Sequence, residues 1–390
     1  MPRLCFISPS NTRRPEIYGL ATHLPKKYAI TILQPVPKRV RRGPASLFPN
    51  VTVRSLPARF FEFQNSVIPV PHFPSWLREL ERMVSSDRND LIHACDYMYF
   101  SSYLPWLVSR RHPRVRTTIV NNALIGLEYA FGPRPIDFFA KVYTDLMGSR
   151  VLNRYDKVIS LYRALATGLE RLGVSREKVE VIPNGVDIEP GALERRANLR
   201  YRLREAYGVR EDQGVILSLG RLVSVKRVDL LLRAAKKLER TGLRPKVVVA
   251  GDGPQRANLE AIASGLGLDC AFLGRVAESV KRDLYTMADV FALPSRSEGL
   301  PTVALEASAA GVPTVASPSG GISDIVVAGE NGFVVPASDT EEFSNACAAL
   351  LKDQDLARTM GIAARCHVEQ NFSWDSVTRK YELLFDALIS

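Results

Sequence analysis

Two glutamates, Glu298 and Glu306, bracket a segment that is suited to bind an anion. An apolar run typical of a strand precedes Glu298, the residues Gly-Leu-Pro turn the chain, and a helix-forming sequence begins at Thr302. The first amides of a helix have no partner within the helix and can donate to a phosphate group. One carboxylate therefore lies before the helix terminus and the other about one turn inside it. This arrangement would suit a sugar diphosphate, with phosphate at the helix terminus and sugar hydroxyls donating to the carboxylates.

Two cations follow another predicted strand. Arg221 and Lys226 lie in the turn between the strand Val215–Gly220 and the helix Asp229–Glu239. Open α/β sheets bind ligands at the carboxyl ends of their strands, so both side chains could reach one site there. Arginine can grip phosphate oxygens through two hydrogen bonds, and lysine acts as a point charge. Taken alone, the two residues could equally be ordinary surface cations in a turn.

Glycines mark two further strand ends. Gly251 follows the predicted strand Lys246–Ala250 in a Gly-Asp-Gly-Pro turn, which would allow a close approach of another backbone or a ligand. This is not a dinucleotide fingerprint, because Arg256 stands where the third glycine would be. The next predicted strand, Asp269–Leu273, leads into Gly274. Its exposed amides could meet a nucleobase, or the glycine could simply let the chain leave the strand.

The elements that position these residues predict an α/β protein. Short apolar runs alternate with helical patterns along the whole chain, which favours parallel sheets, and 390 residues are enough for two doubly wound domains. Pro183-Asn-Gly would break a helix or a strand, and we expect the domain boundary there. We therefore predict domains over residues 1–184 and 185–371 and an amphipathic helix over residues 372–390. The other predicted strands are Arg3–Ser8, Ala29–Gln34, Leu91–Ala94, Thr117–Val120, Lys157–Leu161, Val179–Ile182, Val290–Leu293, Thr314–Ala316 and Gly332–Val334.

Basic residues are concentrated in the first half of the chain. Residues 1–190 contain 27 Lys and Arg against 16 Asp and Glu, whereas residues 191–390 contain 25 of each. Runs such as Lys38–Arg42 and Arg110–Arg116 concentrate this excess. A solvated basic surface would explain it, and so would an anionic partner, either a membrane surface or a phosphate-bearing acceptor. No stacking aromatics interleave with the runs, so we do not expect nucleic acid as a partner.

Two segments of the first half, Phe60–Trp76 and Tyr97–Trp106, are rich in aromatic residues, and we predict an irregular structure for the first. Such residues usually pack in a core or a loop; an apolar acceptor groove or a membrane-facing surface is the alternative. The chain has no apolar run of about 20 residues that could span a bilayer. Its N-terminus lacks the apolar core of a signal peptide, and its five cysteines lack metal-ligand or redox spacing. We therefore expect a cytoplasmic protein without a structural metal.

In this order and at these spacings, the motifs resemble the retaining glycosyltransferases of family 4, which have the GT-B architecture. The sequence Ile182–Asp187 resembles the interdomain signature of that family, and Phe372-Ser-Trp resembles the start of its closing helix. The resemblance covers essentially all of residues 180–390 and, more loosely, residues 1–180. It implies two Rossmann-like domains facing a central cleft, with the closing helix crossing back to the N-terminal domain. The other matching motifs are Gly220-Arg-Leu, Lys226, Asp229, Gly251-Asp-Gly-Pro, Phe272-Leu-Gly, Glu298-Gly-Leu-Pro, Glu306-Ala, Gly311-x-Pro, Gly320-Gly, Asp324 and Asn331-Gly.

The resemblance also implies a reaction and a role for each residue. A nucleotide diphosphate sugar would be the donor, held mainly by the second domain, and a hydroxyl group the acceptor. Arg221 and Lys226 would bind the diphosphate and stabilise it as it leaves. Glu298 would contact the transferred hexose as a third catalytic group, and Glu306 would accept from the ribose hydroxyls. Further donor contacts would come from Gly251, Gly299, Leu300, Pro301 and Thr302, with Arg275 and Val276 near the base. The transfer would retain the anomeric configuration and need neither metal nor cofactor.

The first domain departs from the family pattern in two places. Relatives usually carry a Gly-Gly loop after the first strand, whereas this chain has no glycine there and instead has Arg13 and Arg14. Either arginine could supply charge in place of backbone amides, or the loop could serve the acceptor. Many relatives carry a histidine where this chain has Asn121 and Asn122. An amide cannot act as a general base, although it could hydrogen-bond a sugar hydroxyl. His93, at the end of another strand, could face the same site or pack in the core.

We expect an amphiphilic or phosphate-bearing acceptor, such as a lipid-linked precursor of a surface glycan, reached from the inner face of the membrane. A soluble transferase that acts on a small sugar phosphate is one alternative. A nucleotide-sugar-binding protein without catalytic activity is another, favoured by the two departures in the first domain. The presence of Arg221, Lys226, Glu298 and Glu306 argues against it.

Overall fold

The computed structural model describes residues 1–10, 12–37, 44–63, 66–85, 90–127 and 134–390. The basic run at residues 38–42 therefore lies outside the described residues. The chain forms two compact units. Unit 1 contains Met1–Glu128, Arg134–Gly185 and Trp374–Ser390, and unit 2 contains Val186–Ser373.

Within the described residues, the sheet of unit 1 has nine strands: β1 (Arg3–Ile7), β2 (Ala29–Pro37), β3 (Ala45–Phe48), β4 (Val51–Phe63), β5 (Ser66–Pro71), β6 (Leu91–Cys95), β7 (Arg116–Asn121), β8 (Lys157–Ser160) and β9 (Val179–Val181). Their order is β3-β4-β2-β1-β6-β7-β8-β9, with β5 paired to β4. β3 and β5 run antiparallel to β4, and the other pairs are parallel. β1, β6 and β7 are buried along almost their whole length, as expected for parallel strands covered on both faces.

In the part of unit 1 that the structure describes, six helices connect the strands: α1 (Leu20–His23), α2 (Phe73–Ser85), α3 (Leu104–Arg111), α4 (Arg134–Tyr143), α5 (Ser149–Leu152) and α6 (Arg163–Arg171). Shorter helical turns extend some of them. A π-helical turn, Pro15–Gly19, leads into α1, and a second, Thr144–Gly148, joins α4 to α5. A 3-10 turn, Phe100–Tyr103, leads into α3, and another covers Arg176–Lys178. The stretch from residue 134 to residue 152 is therefore helical throughout.

Unit 2 has a six-stranded sheet in which all pairs are parallel, with strands β10 (Val215–Leu219), β11 (Lys246–Ala250), β12 (Cys270–Gly274), β13 (Val290–Leu293), β14 (Thr314–Ala316) and β15 (Gly332–Val334). The order is β12-β11-β10-β13-β14-β15. Its helices are α7 (Ala192–Ala206), α8 (Val228–Leu238), α9 (Arg256–Gly265), α10 (Glu278–Met287), α11 (Thr302–Ala309), α12 (Ile322–Ile325), α13 (Thr340–Lys352) and α14 (Gln354–Phe372), with 3-10 turns at Ser224–Lys226 and Glu239–Thr241. Because every strand points the same way, all of their carboxyl ends lie on one edge of the sheet.

The last helix, α15 (Trp374–Ile389), packs within unit 1. Its buried face contains Val377, Tyr381 and Phe385, one turn apart, and the two aromatic rings contact His93 of β6. The Tyr28 hydroxyl donates to Asp386 at 2.6 Å. Burial of a large apolar side chain stabilises a fold by about 1.5–3 kcal/mol, so this face is enough to fix the helix. Of the helices in the described residues, none is long and apolar enough to cross a membrane.

The predicted fold class, α/β with two doubly wound, Rossmann-like domains, is confirmed, and each predicted strand is present with ends that move by at most three residues. The prediction of an irregular segment at Phe60–Trp76 is wrong. This segment contains the end of β4, the antiparallel strand β5 and the start of α2. Pro69 and Pro71 conceal β5 in the sequence, because proline cannot donate to a sheet and is tolerated only on an edge strand such as this one.

Candidate functional site

The loops that follow β10, β11 and β12 contact one another through their backbones. The Gly251 N–H donates to the Gly274 carbonyl at 2.7 Å, and the Gly220 N–H donates to the Ala250 carbonyl at 3.0 Å. Gly251 has a φ of 137°, and a Cβ atom there would lie 1.8 Å from the Gly220 carbonyl oxygen. This packing alone requires the glycine. Its contact with a donor stays a prediction.

Lys226 and Glu298, which are distant in the sequence, form an ion pair in unit 2. The lysine lies in the turn that precedes α8, and the glutamate lies between β13 and α11. Nζ is 2.5 Å from Oε1, and both side chains are mostly buried. The Arg296 N–H donates to the Val225 carbonyl at 2.8 Å and so holds the two loops together. The structure thus places one cation and one carboxylate in contact, immediately before α11.

The loop Gly320-Gly321 packs on the turn that carries Glu298. The Gly321 N–H donates to the Gly299 carbonyl at 2.8 Å. Gly320 has a φ of 53°, and a Cβ atom there would lie 2.2 Å from the Gly299 carbonyl oxygen and 2.3 Å from that of Glu298. A side chain would therefore displace the turn. The two glycines are therefore required to position Glu298, whether or not they contact a ligand.

The start of α11 offers free amides beside this pair. Pro301 is the N-cap residue and has no N–H, and none of the described side chains caps the helix. The amides of Thr302 and Val303, which have no partner in the helix, can therefore donate to an external anion. Gly299 and Thr302 are half-buried, and Leu300 and Pro301 are buried. The contacts predicted for this segment would thus come mainly from its backbone.

Glu306, in the second turn of α11, is held by two side chains of α10. It accepts from Lys281 Nζ at 2.9 Å and from the Tyr285 hydroxyl at 2.8 Å. Burial lowers the pKa of Lys281, but the charge and hydrogen bond of Glu306 outweigh it, so that pKa is raised. Burial, then the Glu306 charge, raise the pKa of Tyr285 well above its usual value. Each carboxylate oxygen can accept a further hydrogen bond, so a ribose contact remains possible.

The sequence reasoning missed Lys281 and Tyr285. They lie four residues apart on one face of α10, but their partner is 25 and 21 residues further along the chain. It also missed Ser295 and Ser317, which follow β13 and β14 and are almost fully buried. Neither hydroxyl has a hydrogen-bond partner among the residues described. A buried polar group without a partner costs about 1–3 kcal/mol, so both are candidates to bind a ligand group.

The other predicted donor contacts lie on the same edge of the sheet. Arg221 follows β10 with an exposed side chain, Arg275 follows β12 and is also exposed, and Val276 is half-buried. The parallel strands place them on the edge that carries Lys226 and Glu298. Their roles stay predictions.

In unit 1 the structure brings together Arg14 and Asn122, which the sequence suggested separately, with two acidic residues that it did not suggest. Arg14 Nη1 lies 3.0 Å from Glu16 Oε1 and 2.8 Å from Asp96 Oδ2. Asn122 Nδ2 donates to the same two oxygens at 3.0 and 3.1 Å. The residues follow the adjacent strands β1, β6 and β7 at their carboxyl ends. We call these four residues the Arg14 cluster. Glu16 and Asp96 also follow predicted strands, so the expectation that functional side chains lie at the carboxyl ends of strands, which suggested Asn122, could have found them as well.

The positive charge of Arg14 is paired within the cluster. Its guanidinium is bonded to two carboxylates, and it also donates to Cys95 Sγ at 3.4 Å. Glu16, Cys95 and Asp96 approach one another closely enough to hold a cation, and the guanidinium fills that position. Burial, then the acidic neighbours, raise the pKa of Cys95 well above its usual value, so it stays a thiol. Asp96 adopts a φ of 54°, a strained conformation that is more often found where a side chain must be aimed.

The remaining predicted residues of unit 1 separate into exposed and buried ones. Arg13 is exposed beside the cluster. Asn121 is fully buried, and its Oδ1 accepts from the Tyr97 N–H at 3.3 Å. His93 is also fully buried, among Phe6, Tyr381 and Phe385. Burial lowers the pKa of His93 to about 3, so it is a neutral core residue. Neither side chain faces the solvent that a ligand would come from.

Two family models match the chain. The model described as Glycosyltransferase Family 4 matches residues 17–190, and the one described as Glycosyl transferases group 1 matches residues 200–367. A D-inositol 3-phosphate glycosyltransferase of Saccharomonospora viridis is 31% identical over 353 residues, which cover 85% of this chain and 78% of the relative. The chain belongs to the family 4 glycosyltransferases.

A second relative of this chain is a GDP-mannose-dependent alpha-(1-6)-phosphatidylinositol monomannoside mannosyltransferase of Mycolicibacterium smegmatis. It is 38% identical over 205 residues, and the match spans about half of each protein, 50% of this chain and 53% of the relative. The solved structure of Anabaena HepE in complex with UDP has a TM-score of 0.75 and 19% identity, and the match covers 99% of this chain and all of HepE. At this identity the likeness shows the GT-B fold alone.

Proposed function

We propose that this glycosyltransferase moves a hexose from a nucleotide diphosphate sugar to a hydroxyl group, with retention of the anomeric configuration. The observation that carries the proposal is the Lys226–Glu298 pair beside the uncapped start of α11. The bond between the anomeric carbon and the phosphate oxygen breaks, and its electron pair leaves with the diphosphate. The acceptor oxygen bonds to the anomeric carbon, and its proton passes to the leaving phosphate. No side-chain base is needed, which is compatible with the amide at Asn122.

The two charges of the pair match the charges that develop in this reaction. Negative charge grows on the diphosphate, which Lys226, Arg221 and the α11 amides would stabilise. Positive charge grows on the sugar ring, against which Glu298 would lie. Groups aimed at developing charge are typically worth about 10²–10³-fold in rate each. Because these groups already neutralise the diphosphate, we propose that the reaction needs neither a metal ion nor a resident cofactor.

The rest of the donor would lie along the same sheet edge. Glu306 would accept from the ribose hydroxyls while Lys281 and Tyr285 hold its carboxylate in place. The base would lie near Arg275 and Val276 at the end of β12. The names of the relatives and HepE mention GDP-mannose and UDP, so the proposal extends to the class of donor and not to its base.

For the acceptor we propose a phosphate-bearing polyol, linked to a lipid in the precursor of a surface glycan. The relatives in M. smegmatis and S. viridis are named for a phosphatidylinositol monomannoside and for D-inositol 3-phosphate. In the Arg14 cluster, two carboxylates face one cation, so the cluster can accept from the hydroxyls of a polyol. The exposed Arg13 could contact its phosphate. The enzyme would then work in the cytoplasm at the inner face of the membrane.

A product assay tests this proposal. The full chain would be incubated with UDP-glucose or GDP-mannose and with inositol 3-phosphate, phosphatidylinositol or glucose 6-phosphate, and products would be identified by mass spectrometry. We expect one donor to give an inositol-containing product, whose anomeric configuration by NMR matches that of the donor. A product from the sugar phosphate alone would favour the small-acceptor alternative. An inverted linkage would contradict retention, and donor binding without any product would favour the binding-only alternative.

A further inference from the structure

The helical stretch from residue 134 to residue 152 has an apolar face that the rest of the described chain leaves uncovered. Phe138 is 61% exposed, Phe139 is 71% exposed and Leu146 is 55% exposed. With the half-buried Val142, they recur at spacings of three and four residues, which places them on one face of a helix. We call these four residues the apolar stripe. Such a stripe is unusual, because a soluble protein seldom leaves neighbouring large apolar side chains in water.

The opposite face of this stretch explains why the helix stays in place with its stripe exposed. Thr144 is fully buried; its hydroxyl donates to the Ile125 carbonyl at 2.7 Å and bonds the Tyr97 hydroxyl at 2.6 Å. The Tyr143 ring stacks on Tyr97, and its hydroxyl bonds that of Tyr103 at 2.7 Å. The helix is thus anchored by its inner face. The hydrogen bonds that anchor the helix thus come from side chains outside the stripe.

The neighbours of the stretch add further apolar and cationic groups. The 3-10 turn that Tyr143 contacts begins with Phe100, which is 56% exposed, and Leu127, two residues beyond Ile125, is 43% exposed. At the end of the stretch, Arg154 lies 4.0 Å from the centre of the Trp106 ring, and Arg110 lies 5.5 Å from it. A tryptophan ring in contact with two arginines is typical of a surface that meets the polar headgroups of a bilayer.

The charge of the two units indicates which partner fits. Unit 1 contains 29 Lys and Arg against 17 Asp and Glu, whereas unit 2 contains 23 against 24. Every exposed phenylalanine of the described residues also lies in unit 1. Two copies of a unit with this charge would repel each other, but anionic lipid would attract it. We infer that the apolar stripe inserts into the interface of an anionic phospholipid bilayer and holds unit 1 on the membrane.

Vesicle flotation with the full chain tests this inference, without donor or acceptor, so its outcome is independent of the proposed reaction. The wild type should float with vesicles of phosphatidylcholine and phosphatidylglycerol and not with phosphatidylcholine alone. The variant Phe138→Ser/Phe139→Ser lacks two aromatic side chains that would move from water into the membrane. We therefore expect its partition coefficient between water and the anionic vesicles to fall by about tenfold or more. The matched control is Leu199→Ser/Tyr201→Ser, which removes two exposed apolar side chains from α7 of unit 2 and should float as the wild type does.

A second variant gives a positive signal. In Phe139→Trp, the added indole should show a blue-shifted emission with the anionic vesicles only, because it would enter a less polar environment. Equal flotation of the wild type and Phe138→Ser/Phe139→Ser would overturn the inference, and so would failure of the wild type to float. A dimer in light scattering that Phe138→Ser/Phe139→Ser abolishes would assign the stripe to a second copy instead. An unchanged melting temperature would confirm that the variants are folded.

Discussion

At the scale of single residues, the Arg14 cluster predicts a clear effect of one side chain on the stability of the fold. Its guanidinium bonds two mostly buried carboxylates, Glu16 and Asp96. Removal of the cation leaves these charges unpaired, which typically costs about 3–5 kcal/mol. We therefore expect Arg14→Gln to lower the free energy of unfolding by about that amount, measured by urea denaturation. Arg13→Gln changes the exposed neighbour and should leave stability almost unchanged. Equal stability of the two variants would contradict the claim that Arg14 neutralises Glu16 and Asp96.

His93 predicts a dependence of stability on pH. Its pKa is about 3 in the folded chain because of burial, against an ordinary value of 6.5. As pH falls below 6.5, the unfolded chain therefore takes up a proton that the folded chain excludes until about pH 3. This group alone should make the free energy of unfolding about 2 kcal/mol lower at pH 5 than at pH 7.

The variant His93→Gln isolates this effect, because glutamine does not titrate and can still bond Thr118. We expect the loss of stability between pH 7 and pH 5, measured by urea denaturation, to be smaller in this variant. If the wild type and His93→Gln lose the same free energy, His93 is not the buried neutral group described here.

Sequence reasoning at this scale located strand ends better than partners. Lys226, Glu298 and Asn122 follow strands, and each does lie at the carboxyl edge of a sheet. Their contacts could not be predicted, because Lys226 and Glu298 are 72 residues apart and Arg14 and Asp96 are 82 apart. The sequence shows the chemistry of each side chain, but the partner that the side chain contacts depends on the order of the strands in the sheet. This is why the sequence suggests Arg14 as a source of charge but does not reveal its two carboxylate partners.

At the scale of elements, the loop Gly320-Gly321 should control the position of Glu298. A methyl group at Gly320 would meet the Gly299 and Glu298 carbonyl oxygens at 2.2 and 2.3 Å. We expect Gly320→Ala to push the turn aside and to weaken binding of the nucleoside diphosphate by about tenfold or more, since misplaced groups lose most of their effect. Isothermal titration calorimetry with UDP and with GDP would measure it.

The same chain offers a matched control for this substitution. Gly329 also has a positive φ, of 82°, but a Cβ atom there would meet nothing within 4 Å. Gly329→Ala should therefore cost about 1 kcal/mol of stability through backbone strain and leave nucleotide affinity unchanged. If both variants bind as the wild type does, the Gly320 contact does not position the site.

Elements with a simple periodicity were predictable, and those with a mixed pattern were not. The strand Lys246–Ala250 consists of one lysine followed by four apolar residues, and its predicted bounds agree with the structure to the residue. β5 contains two prolines in six residues and was missed, because its place at the sheet edge, which tolerates them, is a property of the sheet.

At the scale of the whole molecule, the chain divides its chemistry between two units. Unit 2, with balanced charge, carries the Lys226–Glu298 pair and the Glu306 network, which we assign to the donor. Unit 1, with the basic excess, carries the Arg14 cluster and the apolar stripe, which we assign to the acceptor and the membrane. The sequence predicted the charge difference, since counting residues needs no fold. It could not predict the stripe, because Phe138 and Phe139 are apolar residues that a sequence alone would place in a core.

The most direct test of the account measures release of nucleoside diphosphate from the active donor, without acceptor, by the wild type and by Lys226→Ala. Loss of the cation that stabilises the leaving diphosphate should lower kcat by about 10²–10³-fold. Lys236→Ala is the control, since it removes a half-buried lysine from α8, ten residues further along, and should keep the wild-type rate. Equal rates for Lys226→Ala and the wild type would contradict the assignment of this pair to the reaction.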